Sequence, residues 1–346
     1  MSLRTALEDL LPLIEADLQE ITRPPQQSLR PYYGMMHYHL GWVDEELQPR
    51  RTNSGKRLRP LLCLLACRAL GGNPLHALPA ASALELIHNF SLVHDDIQDG
   101  SHIRRGRQAV WDIWGMPHGI NVGDGLFVLA RLALHRLENH GVSPSRRQAA
   151  ALTLDRACLE LCEGQYFDLA FEDQLEIDLD QYLWMIRHKT AALLAAAAQM
   201  GAIVATDDTE QLSRYYRFGE SLGMAFQIQD DILGTWGDEK ATGKSAATDI
   251  RDKKKTLLVV YTLDQTRDRR AAQRLTDLYA QPAPLDKSAI QVVQALFEEV
   301  GAHQYAEEAA EKHYRAALQS LKQTGIDNRA QSNLCELAAS LLDRQS

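Results

Sequence analysis

Two groups of aspartates are the residues of this chain best suited to carry chemistry. Asp95, Asp96 and Asp99 lie at the end of one apolar helical segment, and Asp230 and Asp231 lie at the end of another. Carboxylates at a helix C-terminus face the negative end of the helix dipole, so such a cluster is unfavourable unless cations offset it. Mg²⁺ prefers oxygen ligands and is usually held by one or two carboxylates together with substrate phosphates. The pattern therefore predicts a divided magnesium site and a phosphorylated ligand.

The spacing within the first group supports a metal site. Asp95 and Asp99 are one turn apart on the same helix face, near enough to share metal ions, whereas Asp96 points about 100° round the axis. The alternatives are a solvated acidic helix end and a structural calcium loop. Both fit less well, because the flanking residues are apolar and the glycine placement does not match a calcium-binding loop.

Two basic clusters lie near this group in the sequence. Lys56 and Arg59 stand at an expected helix start, and Arg104 and Arg105 follow the aspartates directly. Arginine forks match phosphate oxygens, and a helix N-terminus adds unpaired N–H groups. Either cluster alone is more often a solvated surface patch, but the neighbouring aspartates favour a diphosphate clamp.

The overall composition excludes several classes of function. A formal net charge of −9 argues against a nucleic-acid partner, because binding to a phosphate backbone needs a basic face. The five cysteines lack the spacing of a secreted disulfide framework, which indicates a reducing, cytoplasmic location. The acidic N-terminus and the lack of an apolar run of about 20 residues predict neither a signal peptide nor a membrane-spanning segment.

The pattern of apolar residues predicts an all-α fold. No proline lies between Pro144 and Pro282, and this stretch is rich in residues that favour helices. Apolar spacings of three and four recur along the chain, whereas alternating strand patterns are scarce. We expect one domain over residues 1–346 with roughly a dozen helices. The Asp-Asp-Ile sequence occurs once in each half, which is consistent with two helices that face each other across a cavity.

The order of the motifs resembles the trans-isoprenyl diphosphate synthases, also called polyprenyl synthetases. The resemblance extends from about Gly55 to Thr256 and rests on eight pieces in the family's order. These are Gly-Lys-Arg-Leu-Arg-Pro, Asp-Asp-x-x-Asp, Arg-Arg-Gly, Gly-Asp, Gly-Gln, Lys-Thr, Phe-Gln-x-x-Asp-Asp and Gly-Lys. It implies an isoprenoid-synthase-type helical bundle around a central cavity, a homodimer, and Mg²⁺ as cofactor, with three ions when substrate is bound.

The resemblance also assigns roles to individual residues. It implies that magnesium is coordinated by Asp95, Asp99 and Asp230, with Asp96 and Asp231 supporting the site. It implies that the allylic diphosphate is held by Arg104, Lys189, Lys244 and Lys254. It implies that isopentenyl diphosphate is held by Lys56, Arg59, His88 and Arg105, and that the reacting carbons are lined by Thr190 and Gln227. Without the resemblance, Lys189 would be a surface lysine and His88 a core histidine.

One position departs from the family pattern. The second aspartate motif of the family often ends in a third aspartate, and here that position is Gly234. We expect activity to survive, with an ion held by Asp230 and water and with Asp238 helping through solvent.

The residues before the first motif bear on the length of the product. Phe90 lies five residues before Asp95, about 7.5 Å along the axis, and the small Ser91 lies four before it. In the family that the chain resembles, an aromatic residue at the fifth position alone accompanies short products. We therefore expect condensation of isopentenyl diphosphate with allylic diphosphates to geranylgeranyl diphosphate (C20), with farnesyl diphosphate (C15) as the alternative. If Phe90 is only a core residue, deeper side chains decide the length.

Two other functions are compatible with an acidic helical cavity. A class I terpene cyclase would not need the second clamp of Lys56, Arg59 and Arg105, and the Asn, Ser and Glu of its second motif are missing after Phe226. A non-catalytic partner subunit of a prenyl synthase is disfavoured by the intact aspartates. The sequence therefore favours a trans-prenyltransferase.

Overall fold

The structure is a computed structural model that describes residues 2–52, 55–172, 174, 177–237, 247–264 and 269–342. Almost all of its regular structure is helical, which confirms the all-α prediction. The first eight helices are α1 Leu3–Ile21, α2 Arg30–His39, α3 Leu58–Ala69, α4 Pro74–Gln98, α5 Val110–Trp114, α6 Met116–His135, α7 Pro144–Glu172 and α8 Leu179–Ile186. Those that follow are α9 Ala192–Ala205, α10 Thr209–Trp236, α11 Thr248–Arg251, α12 Leu257–Asp264, α13 Arg269–Tyr279, α14 Lys287–Glu299, α15 Ala302–Gln323 and α16 Arg329–Leu342.

A few short elements join these helices. Two 3₁₀ segments span Gln27–Leu29 and Arg136–His140, and a π-helical segment spans Arg187–Ala191. The strands β1 Ile103–Arg104 and β2 Arg107–Gln108 pair antiparallel in a small hairpin.

The chain divides into two compact units. The first unit comprises Met1–Arg156, Ala196–Tyr215 and Ile326–Leu334. The second unit comprises Ala157–Ala195, Tyr216–Gly325 and Cys335–Ser346. Our expectation of one domain over residues 1–346 stays a prediction.

Helix α4 is the central element of the first unit. It starts at Pro74 behind the N-cap Asn73, whose side chain accepts a hydrogen bond from the Leu75 N–H at 3.1 Å. Its apolar residues are buried along most of its length, against α3 and α6 among other elements. The helix ends at Gln98, with Gly100 in the left-handed conformation at φ +60°. The first aspartate group therefore lies at a helix C-terminus.

The second unit has its own apolar core. Four consecutive buried residues of α12, residues 257–260, pack there with apolar side chains of α8, α10, α14 and α15. The run is buried all round, which explains why it lacks the polar face of a surface helix. It fixes the position of the α10 C-terminal half, which carries Gln227, Asp230 and Asp231.

No helix within the described ranges is both long enough and apolar enough to cross a membrane.

Candidate active site

The first aspartate group is held by an arginine from the hairpin. The Arg104 guanidinium donates to Asp95 Oδ2 at 3.0 Å and, through Nε, to Asp96 Oδ1 at 2.6 Å. Asp96 is buried, and burial raises the pKa of its carboxyl to about 6, although Arg104 favours the ionised form. Its second oxygen, Oδ2, is buried without a hydrogen-bond partner in the described part of the chain. Asp99 caps the helix and is exposed. Asp96 is thus buried against Arg104, whereas Asp99 lies at the surface; the roles expected for them at a metal site stay predictions.

The hairpin presents Arg105 at its turn. Arg105 and Gly106 both have positive φ, at 54° and 76°, as a two-residue type I′ turn requires. A non-glycine residue rarely adopts this conformation. The Arg105 guanidinium lies beside Gly55 in the basic segment that precedes α3: its Nη2 is 3.2 Å from the position that a Cβ at Gly55 would occupy. The two basic clusters of the sequence therefore meet.

Arg59, His88 and Arg105 form a partly buried basic group. Burial, with repulsion from Arg105, lowers the pKa of Arg59 to about 10, although Glu85 acts in the opposite direction. Burial and the nearby arginines hold the pKa of His88 well below its usual value, so this imidazole is neutral at pH 7. Arg59 Nε and Arg105 Nη1 are buried and have no hydrogen-bond partner among the described residues. Buried donors without acceptors are costly, and a diphosphate supplies acceptors and negative charge.

A buried ionic network anchors the basic segment. Arg57, the N-cap of α3, has a positive φ of 49°, and its guanidinium donates to Glu15 Oε1 at 2.6 Å and to Glu85 Oε1 at 2.8 Å. Glu85 belongs to α4 and Glu15 to α1, so three helices converge on one arginine. The network fixes the backbone between Lys56, which is exposed, and Arg59. Sequence reasoning missed it, because Glu85 and Arg57 are far apart in the chain.

His39 is a further residue that sequence reasoning missed. It ends α2, is 8% exposed, and lines a small pocket with Arg104 and Arg105. Its Nε2 is buried without a partner in the described ranges, and burial beside arginines holds the pKa of its imidazole well below the usual value. Nothing in the spacing of the motifs marks this histidine.

Phe90 belongs to an aromatic cluster of the first unit. Its ring lies 5.3 Å from the ring of Phe127 on α6 and 5.2 Å from the imidazole of His94, centroid to centroid. Both contacts are edge-on, the geometry that aromatic pairs prefer. Phe90 is half-buried, which is compatible with a position on a cavity wall as well as in the core.

In the second unit, a π-helical segment carries Lys189 and Thr190. Such segments occur often at functional sites. Two glycines allow neighbouring helices to approach it closely. A Cβ at Gly164 of α7 would lie 2.7 Å from Lys189 Cα, and a Cβ at Gly223 of α10 would lie 2.5 Å from Ala191 Cα. Both positions therefore require glycine.

The two lysines of the second unit lie among carboxylates. Lys189 Nζ donates to Asp168 Oδ2 at 2.5 Å. The Lys254 side chain is exposed. The surrounding protein lowers the pKa of its ammonium group, but nearby aspartates raise it by more, so the pKa lies above its usual value. Those aspartates are Asp168, Asp230, Asp231 and Asp249. Asp168 and Asp249 lie outside the two aspartate motifs of the sequence.

Asp231 is engaged by protein groups on both of its oxygens. Oδ1 accepts from Gln227 Nε2 at 3.0 Å, and Oδ2 accepts from the Leu257 N–H at 2.9 Å and from the Tyr182 hydroxyl. Burial raises the pKa of this carboxyl to about 7, although these bonds favour its ionised form. Gln227 in turn accepts from Thr190 Oγ1 at 2.8 Å. The expected supporting role of Asp231 fits this geometry better than direct coordination of an ion.

The departure at Gly234 has a structural counterpart. A Cβ at this position would lie 2.6 Å from Asp249 Cγ, so a carboxylate from α11 lies where a third aspartate side chain would start. Asp238, which we expected to help, and Lys244, which we expected to bind the allylic diphosphate, lie outside the described residues.

The carboxylates fit Mg²⁺ with substrate better than a metal cage made of protein alone. Across the described part of the chain, no three or more His, Cys, Asp and Glu side chains are grouped closely enough to hold a metal ion by themselves. Mg²⁺ commonly takes one or two carboxylates and completes its octahedron with water and phosphate oxygens. The buried, unpartnered Oδ2 of Asp96 also favours a cation or a donor nearby.

Comparisons with known proteins identify the family of this chain. The Polyprenyl synthetase family model matches residues 41–299. The chain is 36% identical over 336 residues to (2E,6E)-farnesyl diphosphate synthase of Mycobacterium tuberculosis, covering 96% of this chain and 91% of that protein. It is 38% identical over 313 residues to geranylgeranyl diphosphate synthase of the same organism, covering 90% of this chain and 88% of that protein.

A solved structure extends the agreement to the fold. The crystal structure of geranylgeranyl pyrophosphate synthetase from Pyrococcus horikoshii aligns with a TM-score of 0.88 and 34% identity, covering 99% of this chain and 98% of that one. Prenyl synthases of this family are generally dependent on Mg²⁺. A family match from residue 41 to 299 and relatives above 30% identity over nine tenths of the chain lead to one conclusion: the protein belongs to the polyprenyl synthetase family of trans-prenyltransferases.

Proposed function

We propose that this protein condenses isopentenyl diphosphate head-to-tail with allylic diphosphates and that its main product is geranylgeranyl diphosphate. The observation that carries the proposal is the pair of buried, unpartnered donors, Arg59 Nε and Arg105 Nη1, beside the carboxylates of α4. They supply a second diphosphate clamp, separate from the aspartates. A condensing enzyme needs two such clamps, whereas a cyclase needs one.

Magnesium would be held by Asp95, Asp99 and Asp230, as three ions with substrates bound, and it would neutralise the charge that develops on the leaving diphosphate. Arg104 orients Asp95 and Asp96 through its two hydrogen bonds. The allylic diphosphate is bound by Arg104, Lys189, Lys254 and Lys244, whose positive charges favour its departure.

The homoallylic substrate is bound on the other clamp. Lys56, Arg59, His88 and Arg105 hold the diphosphate of isopentenyl diphosphate, so that its double bond is kept close to C1 of the allylic cation. Thr190 and Gln227 line the reacting carbons, and the apolar side chains around them exclude the water that would quench the cation. The proton lost after C–C bond formation goes to the departed diphosphate.

One assay tests this activity and separates it from the alternatives. The purified protein is incubated with Mg²⁺, isopentenyl diphosphate and each of the C5, C10 and C15 allylic diphosphates, and the products are sized. We expect elongation that stops at C20. Products that stop at C15 would identify farnesyl diphosphate synthesis, and cyclic hydrocarbons would identify a cyclase. Failure of the protein alone to elongate any starter would indicate a partner subunit. An Asp95→Ala variant with full magnesium-dependent activity would refute the metal assignment.

Chain length rests on Phe90. Its edge-on contacts with Phe127 and His94 support a floor of aromatic rings beneath the aspartates. Phe90→Ala should then release products longer than C20. The control is Leu159→Ala, which trims an exposed leucine and should leave the product unchanged. An unchanged product from Phe90→Ala would mean that Phe90 is only a core residue.

We also propose a homodimer in the cytoplasm. Helix α6 exposes a stripe of large apolar side chains at a spacing of four or eight residues, namely Met116, Ile120, Val128 and Leu132. Such a stripe is typical of a surface that another chain covers. The double variant Val128→Glu/Leu132→Glu should be monomeric by light scattering, and a parent protein that is itself monomeric would exclude the dimer. None of the five cysteines, all of which lie in the described ranges, forms a disulfide, and this supports a reducing compartment.

A further inference from the structure

A chain of hydrogen bonds in the second unit links a buried tyrosine to Thr190. The Tyr182 hydroxyl donates to Asp231 Oδ2, Gln227 Nε2 donates to Asp231 Oδ1 at 3.0 Å, and Thr190 Oγ1 donates to Gln227 Oε1 at 2.8 Å. Tyr182 and Asp231 are both 2% exposed. The chain therefore runs from the core of the unit to a residue that our proposed function places at the reacting carbons.

Chemistry fixes the direction of each bond. The Leu257 backbone N–H, 2.9 Å from Asp231 Oδ2, can only donate, so Asp231 accepts at that oxygen. The Gln227 amide turns its NH₂ group toward Oδ1, at 3.0 Å, and an amide NH₂ can only donate, so Asp231 accepts at this oxygen as well. The amide oxygen then faces Thr190, and because a carbonyl oxygen cannot donate, Thr190 must give its proton to Gln227.

The consequence concerns the oxygen of Thr190. A hydroxyl has one proton and two lone pairs. With the proton committed to Gln227, only lone pairs remain for any other group that approaches the oxygen. We infer that Tyr182 and Asp231 are positioning residues that fix the Gln227 amide and thereby make Thr190 present lone pairs, not a proton, to the allylic cation. The inference rests on the proposed function.

This role differs from metal coordination, the other way in which Asp231 could support the site. Three donors occupy three of the roughly four acceptor sites of the Asp231 carboxylate, so coordination would use the remaining site on Oδ1. Its effect would appear in the magnesium dependence. Positioning acts on the rate of the chemical step, because oriented dipoles stabilise charge that develops in the transition state. The two roles therefore predict different kinetics.

The test measures the single-turnover rate of condensation, both KM values and the Mg²⁺ concentration for half-maximal activity. Tyr182→Phe keeps the ring and removes only the hydroxyl, and it should slow the chemical step about tenfold. Asp231→Asn places an amide against Gln227 and allows the Gln227 amide to rotate by about 180°. The chemical step should then slow by about 10²-fold, which is the loss of rate found when one oriented hydrogen-bond donor is removed from an active site. The KM values and the Mg²⁺ requirement should stay within twofold of the parent.

A double-variant cycle connects the effect to Thr190. Thr190→Val removes the oxygen, so Tyr182→Phe added to it should cause no further loss. The matched control is Tyr279→Phe, which removes a buried hydroxyl of the same unit that has no hydrogen-bond partner within the described residues. It should leave the rate unchanged.

Several results would overturn the inference while leaving the proposed function intact. They are a normal rate in Tyr182→Phe, a normal rate in Thr190→Val, additive losses in the double variant, and a raised Mg²⁺ requirement in Asp231→Asn. If Tyr182→Phe failed to fold, as judged by its thermal midpoint, Asp231→Asn would decide alone. A parent protein that elongates no allylic diphosphate would instead refute the proposed function.

Discussion

Replacement of Arg57 by methionine tests how the basic segment is held. The Arg57 side chain is 1% exposed and has two carboxylate partners. Glu85 is 3% exposed, so the loss of Arg57 would leave a negative charge in the core, whereas Glu15 is 24% exposed and can be solvated. Methionine keeps most of the length of the side chain and removes the charge.

The expected loss of stability follows from the burial of Glu85. Breaking a buried ion pair by removing one partner costs about 3–5 kcal/mol. Glu85 Oε1 keeps a hydrogen bond from Asn89 Nδ2 at 2.9 Å, which favours the lower end, about 3 kcal/mol. For a domain of 150–250 residues each kcal/mol shifts the midpoint by about 2–4 °C, so we expect a fall of at least about 6 °C. The double variant Arg57→Met/Glu85→Gln should recover most of the loss, because no charge is then left buried.

The same variant should affect one substrate selectively. Lys56 and Arg59 flank Arg57, so we expect the KM for isopentenyl diphosphate to rise about tenfold, equal to about 1.4 kcal/mol of binding free energy, with the allylic KM within twofold of the parent. Arg4→Met, which breaks an exposed pair with Glu8, is the control and should change neither quantity. A midpoint within 2 °C of the parent would refute the reasoning about burial. A lower midpoint with an unchanged KM would show that the network stabilises the fold without positioning the clamp.

Three further variants test other contacts of the site. Gly164→Ala adds a methyl group 2.7 Å from Lys189 Cα. It should lower the free energy of unfolding by about 1–3 kcal/mol and kcat in steady-state assays by about 10²-fold. Kinetics like those of the parent would show that the π-helical segment can shift to accept the methyl group. Gly234→Asp restores the family's third aspartate but sets it against Asp249, so it should lower the midpoint and the activity; a gain in either would contradict the clash. Asp231 has its pKa raised to about 7 from an ordinary 3.8, so the folded form keeps a proton that the unfolded form releases. Its contribution to stability therefore falls as the pH rises from about 4 to 7, and metal-free thermal scans of Asp231→Asn should lack this fall relative to the parent.

Most helices and part of the candidate site could be predicted from local sequence patterns. The helices follow from apolar spacings of three and four, and the first aspartate group lies at the C-terminus of α4 because Gly100 ends that helix. The proximity of Arg104 and Arg105 to the aspartates also follows from a few residues of chain. These features depend on residues that are close together in the chain, so the sequence alone reveals them.

Features that depend on distant residues were not predicted. A hairpin with two residues in each strand is too short to show alternation, so the left-handed turn at Arg105 had no signal. The π-helical turn at Lys189 depends on close approach to Gly164, which is 25 positions earlier in the chain. The contact between Tyr182 and Asp231 spans 49 positions. Long-range packing decides such contacts, and one sequence does not reveal it.

Under the proposed function, the buried nitrogens Arg59 Nε and Arg105 Nη1 have a consequence for the rate of turnover. Because folding has already removed water from Arg59 Nε and Arg105 Nη1, an arriving diphosphate needs to shed only its own hydration shell. Inorganic pyrophosphate, the by-product of every condensation, offers the same oxygens and brings no hydrocarbon tail that must be accommodated. Flux through the enzyme at scarce isopentenyl diphosphate is therefore coupled to the speed with which pyrophosphate is hydrolysed elsewhere.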